Sequence, residues 1–123
     1  MRWAVQRSPV ARMSLGMRQR LGLATALIGD PAAVILDEPH NGLDAAAIRW
    51  LRAVLRAMAD AGRTVLISSH LMSEIELICD DIVVIHQGRI RFASTMDEFV
   101  ADATSDSRRI RLEERYLELV GEL

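Results

Sequence analysis

Ala33-Val34-Ile35-Leu36-Asp37-Glu38-Pro39 is the stretch on which the reading of this chain turns. Its short continuous apolar run, Ala33–Leu36, predicts a buried strand of a parallel sheet. Two acids then end it abruptly. Neighbouring side chains on a strand point to opposite faces. One carboxylate can therefore hold a hydrated magnesium ion while the other addresses a different point. In phosphoryl transfer that second acid can take a proton from an attacking water, or orient it. Apolar runs that end in acids are common, however, and the pair can equally do no more than end a strand and cap a turn.

Working back from this stretch, Gly29-Asp30-Pro31 stops a predicted helix that begins after Ser14. Met17, Leu21, Ala24 and Ile28 recur there at helical spacing, and Ser14 is a good N-cap. Residues 1–13 show no clear period and read as an irregular remnant. Working forward, His40-Asn41-Gly42-Leu43 reads as a turn, and Asp44 caps a long helix over Ala45–Ala61. Ile48, Leu51, Leu55 and Met58 share one face of that helix, and Gly62 stops it. Thr64–Ser68 is a second strand of the same apolar kind. A short helix over Ser73–Ile78 and a strand over Asp81–Ile85 follow. Gln87-Gly88 is a tight turn into Arg89–Phe92, so the last two strands form a hairpin. Helices near Met96–Ala103 and Leu112–Val120 close the chain, with Thr104–Ser107 as a linker. Strand and helix alternate, which argues for an α/β unit with a mostly parallel sheet.

Three other places carry candidate chemistry. Ser14-Leu15-Gly16 opens a helix, where unpaired amides favour an anion and glycine allows close approach. Arg18 and Arg20 add positive charge. The same residues also describe an ordinary capped helix with solvated arginines. His70 follows the second strand, where ligands bind in open α/β sheets, although a turn histidine bonded to backbone reads the same way. His40 and His86 have no metal-ligand spacing and receive no role. Cys79 lies on an apolar helix face and reads as core.

Composition narrows the class. Among 123 residues, half are hydrophobic and the net charge is -2, which gives no electrostatic case for nucleic-acid binding. A single cysteine rules out an internal disulfide and fits a reducing compartment. No apolar run reaches the roughly 18 residues of a membrane span, and none near Met1 forms a secretory signal. The expectation is a cytosolic chain that meets a membrane only through a partner. All 15 basic residues are arginine. A phosphate-binding loop of the form G-x-x-x-x-G-K-[ST] needs a lysine, so this sequence contains none.

In their order and spacing, these motifs resemble the ATP-binding subunits of ABC transporters. Ser14-Leu15-Gly16-Met17-Arg18-Gln19-Arg20 resembles the signature sequence. Ala33–Pro39 resembles the Walker B strand with its catalytic glutamate. Asn41-Gly42-Leu43-Asp44 resembles the D-loop, and Ser68-Ser69-His70 the switch-histidine loop. The signature, Leu21–Pro31 and the tail Leu112–Leu119 are most similar to the bacterial drug and antibiotic exporter branch, of daunorubicin- and bacitracin-resistance type. Leu15, Gly16 and Met17 stand where the widespread signature has two glycines and a glutamine, and His40 stands where a small residue is usual.

The resemblance implies an incomplete P-loop ATPase domain without the Walker A strand and loop, which would lie upstream of Met1. Residues 1–13 would be a remnant, 14–103 the C-terminal part of the ATPase domain, and 104–123 a linker and helix. Asp37 would act on magnesium, Glu38 would be the general base, and His70 the γ-phosphate sensor. Ser14, Leu15, Gly16 and Met17 would reach ATP held by the opposite subunit of a head-to-tail dimer. Asn41, Gly42, Leu43 and Asp44 would contact that subunit. ATP and magnesium are the implied cofactors. A second ATPase subunit and a membrane permease are the implied partners, placing the chain at the inner face of the cell membrane. The implied function is energy coupling in an exporter, with the short chain inactive alone. Two other functions share the motifs. One is a non-catalytic partner that donates Ser14–Arg20 to another subunit's ATP. The other is a fragment of a DNA-repair or chromosome-maintenance ATPase, although no sustained heptads of the flanking coiled coils occur.

Overall fold

A computed structural model describes residues 9–101 and 108–121, without the side chains of 108–111. The Thr104–Ser107 linker and most of the 1–13 remnant lie outside the described residues. The chain divides into two compact units, residues 1–69 and 70–123.

The first unit holds a short 3-10 turn at Val10–Arg12, then α1 (Leu15–Leu27), β1 (Ala33–Asp37), α2 (Ala45–Asp60) and β2 (Thr64–Ser68). β1 and β2 pair in parallel, with Ala33 opposite Thr64 and Asp37 opposite Ser68. The connection between them is α2, the helical crossover that parallel pairing requires. Asp44 starts α2 by accepting the amide of Ala47 at 2.8 Å. Gly62, at φ +84°, ends it. The amide of Gly62 donates to the carbonyl of Ala59 and that of Arg63 to the carbonyl of Met58, the paired bonds of a Schellman stop. Leu51, Leu55 and Met58 are buried as predicted, together with Ala47, and Ile48 is half-buried.

Two expectations need correction here. The face of α1 that packs is marked by Leu23, while Met17, Leu21 and Ile28 are exposed. α1 carries apolar residues on every side, so spacing alone does not select its inner face. β1 and β2 are also covered on one face only. Val34 is buried and Leu36, Val65 and Ile67 are partly so, but Ile35 is 77% and Leu66 56% exposed.

The second unit contains α3 (Met72–Ile78), β3 (Asp81–His86), β4 (Arg89–Thr95), α4 (Met96–Ala101) and α5 (Arg108–Val120). β3 and β4 form the predicted hairpin, a separate antiparallel sheet. Gln87 and Gly88 both have positive φ, 50° and 72°, as a two-residue type I′ turn demands. Ile82, Val84, Met96, Phe99, Val100, Leu112 and Val120 make its core, and Cys79 packs against it. Phe92 meets Phe99 edge to face at 5.1 Å.

Candidate functional site

The C-terminal end of β1 is where the first unit concentrates its polar groups. The strand register sets Ser68 beside Asp37. The Ser68 hydroxyl donates to Asp37 Oδ1. The amide of Glu38 donates to the Ser68 carbonyl at 3.0 Å and to its hydroxyl oxygen at 3.1 Å. One serine thus ties down both acids. The chain then breaks away sharply. Glu38 lies at φ +45°, a left-handed conformation that non-glycine residues rarely adopt. Such outliers cluster at functional sites, where the surroundings hold them in place.

Beyond Glu38 the backbone folds into consecutive turns. The amide of Asn41 donates to the Glu38 carbonyl at 3.1 Å, and that of Leu43 to the His40 carbonyl at 3.2 Å. Gly42 has φ +72°. Pro39 and His40 within this segment are buried, His40 to 2% exposure. The histidine that stands in place of the usual small residue is therefore a packed part of the turn.

The start of α1 lies against the same turn. Ser14 caps the helix, its Oγ accepting the amide of Met17 at 3.2 Å. Its hydroxyl proton remains a donor for an anion. Gln19 Nε2 donates to the Asn41 carbonyl at 3.3 Å. Arg20 stacks over the ring of Trp50 at 5.6 Å, beside a hollow of about 90 Å³ that Leu36, Asp37 and Leu43 also line. Pockets for nucleotide-sized ligands run to roughly 300–1,000 Å³. This hollow admits water but no nucleotide.

Ser14–Met17, Asp37, Glu38 and Asn41–Asp44 thus occupy one unit. His70 is exposed and opens the other, just before α3. Sequence reasoning missed two contributors. The sequence places Ser68 at a strand end and in the histidine loop, and Gln19 in the signature, without a side-chain partner for either. Both act through pairings that depend on register and packing. Two strands of equal length, each ending in a polar residue, were the available signal for Ser68.

Asp37 offers a hard oxygen ligand at an exposed strand end. Among the described residues, no cluster of three or more His, Cys, Asp or Glu side chains could enclose a metal. That donor set fits magnesium, which is commonly held by one or two carboxylates, water and substrate phosphates.

A parallel βαβ pair with two acids at its strand end and a capped helix beside it defines an α/β class of domain. A family model described as "AAA domain, putative AbiEii toxin, Type IV TA system" matches residues 6–76. The lantibiotic transport ATP-binding protein SrtF of Streptococcus pyogenes is 46% identical over 86 residues, 70% of this chain and 38% of SrtF. The uncharacterized ABC transporter ATP-binding protein YhcH of Bacillus subtilis is 52% identical over 82 residues, 66% of this chain and 27% of YhcH. The bacitracin transport ATP-binding protein BcrA of Bacillus licheniformis is 46% identical over 82 residues, 66% of this chain and 27% of BcrA. A solved ATP-binding subunit of an ABC transporter superposes with a TM-score of 0.75 at 32% identity, covering 89% of this chain and 45% of that one. The chain belongs to the ABC transporter ATP-binding protein family. It spans between 27% and 38% of the length of these three relatives. Among the described residues, no helix is long and apolar enough to cross a membrane.

Proposed function

We propose that this chain supplies the signature and Walker B portion of an ATP-hydrolysing, energy-coupling subunit of an exporter. The transport of lantibiotics and bacitracin by its relatives supports a peptide antibiotic or similar drug as cargo. The observation that carries the reading is the packing of Leu15 and Gly16 against Gly42 and Leu43, with Gln19 bonded to Asn41 and with Asp37 and Glu38 on the same unit. A capped helix start, a glycine turn and a pair of acids are the parts that a nucleotide shared between two subunits requires.

In this reading Ser14 and Gly16 meet the γ-phosphate of ATP held by a second subunit, through helix-start amides and the Ser14 hydroxyl. Leu15 and Met17 flank that contact, and Asn41–Asp44 touch the same subunit. Asp37 ligates magnesium, which when bound neutralises phosphate charge. Glu38, its backbone pinned by Ser68, accepts the proton of the attacking water. His70 senses the γ-phosphate. With no lysine in these 123 residues, the phosphate-binding loop that the reading needs lies outside them. A permease partner would bring the assembly to the membrane's inner face. By their names, the relatives favour transport over chromosome maintenance.

The test pairs the purified chain with an intact subunit of the family that binds ATP but has its catalytic glutamate changed to glutamine. ATP-dependent association on sizing, lost with Ser14→Arg, is expected. Association that ignores ATP, or that survives Ser14→Arg unchanged, would overturn the reading.

A further inference from the structure

We propose that Leu15 is a positioning residue that locks the Asn41–Leu43 turn onto the start of α1. Gly42 sits at φ +72° directly against the Leu15 side chain. A Cβ at Gly42 would fall 1.9 Å from Leu15 Cδ2 and 2.5 Å from Cγ. Real carbon atoms do not approach so closely, so the leucine occupies the space that glycine leaves. Gly42 therefore has two reasons to be glycine, its backbone conformation and its neighbour.

Two further contacts fasten the same surfaces. A Cβ at Gly16 would lie 3.6 Å from Leu43 Cδ2, an ordinary van der Waals distance, so helix start and turn are already close there. Gln19 Nε2 adds its hydrogen bond to the Asn41 carbonyl. Leu15 itself is 48% exposed.

The position of this lock gives it consequences. The turn begins with the Glu38 carbonyl, which accepts the Asn41 amide, and runs into Asp44, which caps α2. Leu15 thus joins the helix start to the acid end of β1 and to α2. On the reading above, a phosphate arriving at Ser14 and Gly16 would be felt at Glu38 through Leu15. That coupling depends on ATP binding as proposed above, whereas the lock itself does not.

The experiment is amide hydrogen exchange on the full chain without nucleotide, comparing wild type, Leu15→Ala, Leu15→Met and Gln19→Ala. The Asn41 and Leu43 amides report the turn, and the Leu51–Met58 amides of α2 serve as an internal reference. Leu15→Ala is expected to speed exchange of the turn amides about fivefold relative to α2, because local opening follows lost contact. Leu15→Met should stay close to wild type, and Gln19→Ala should give a smaller rise. Turn amides unchanged in Leu15→Ala, or rising only in step with α2, would overturn the lock. If Leu15→Ala fails to fold, Gln19→Ala decides by the same readout, since it removes one exposed hydrogen bond only. Because no nucleotide is present, failure here leaves the ATP reading standing, and failure of that reading leaves the lock standing.

Discussion

The amide of Glu38 is held by both oxygens of Ser68, at 3.0 Å by the carbonyl and 3.1 Å by the hydroxyl. The same hydroxyl donates to Asp37. A single side chain on β2 therefore organises the acid pair on β1. Ser68→Ala removes the hydroxyl and both of its bonds and leaves the carbonyl contact intact. The expected cost is about 1 kcal/mol of stability, the usual net worth of a hydrogen bond at a site that water can reach. Urea unfolding of the two proteins checks it, and an unchanged midpoint would remove Ser68 from this role.

Glu38 pays for its position at the strand end with a left-handed backbone, φ +45°. For a residue with a Cβ this costs roughly 1–2 kcal/mol. Glu38→Gly should therefore be more stable than Glu38→Ala by about 1 kcal/mol, after the extra chain entropy of glycine is subtracted. Urea unfolding of the two variants makes the comparison. A Glu38→Gly protein that unfolds earlier than Glu38→Ala would show that the left-handed backbone costs nothing here. In an assembly that hydrolyses ATP, Glu38→Gln should slow hydrolysis strongly and leave ATP binding largely intact, because it removes a base and not a phosphate contact.

Alone, the chain should release no phosphate from ATP. It has no lysine to reach the outer phosphates, and the hollow beside Asp37 is far smaller than a nucleotide. The measurement is magnesium-dependent phosphate release by the purified chain against a matched Glu38→Gln control. Release above that control would sink the expectation.

What could be read from the sequence was what local chemistry decides. Asp44 caps α2 and Gly62 stops it because a carboxylate and a positive-φ glycine do those jobs wherever they stand. Gln87-Gly88 makes its hairpin for the same reason. The acid pair was visible because an apolar run ends in it. What escaped was set by partners distant in sequence. The inner face of α1 is chosen by what Leu23 meets, and a helix with apolar residues on every side gives no hint of that choice. The grip of Ser68 on Asp37 depends on strand register. The fit of Leu15 against Gly42 depends on how a helix start lies over a turn, which no periodicity encodes.

The open face of the β1–β2 pair leads to the last prediction. Parallel sheets occur almost only with both faces covered. Here α2 packs against β2, while the opposite face exposes Ile35 and Leu66. Among the described residues the pair is two strands wide, so each strand has one edge with no neighbouring strand. Exposed apolar edges of this kind recruit other chains. Net stability of a small domain is only about 5–15 kcal/mol, so lost burial on one sheet face consumes a large share of it. The purified chain is therefore expected to self-associate and to unfold broadly, with a midpoint below about 60 °C. Ile35→Thr combined with Leu66→Thr should reduce the self-association and change secondary structure little. Both residues are exposed, and threonine has the β-branched shape that strands favour. Sizing and circular dichroism of the two proteins make the comparison. A wild-type chain that runs as a monodisperse monomer and melts cooperatively above 60 °C would show that this sheet face needs no cover.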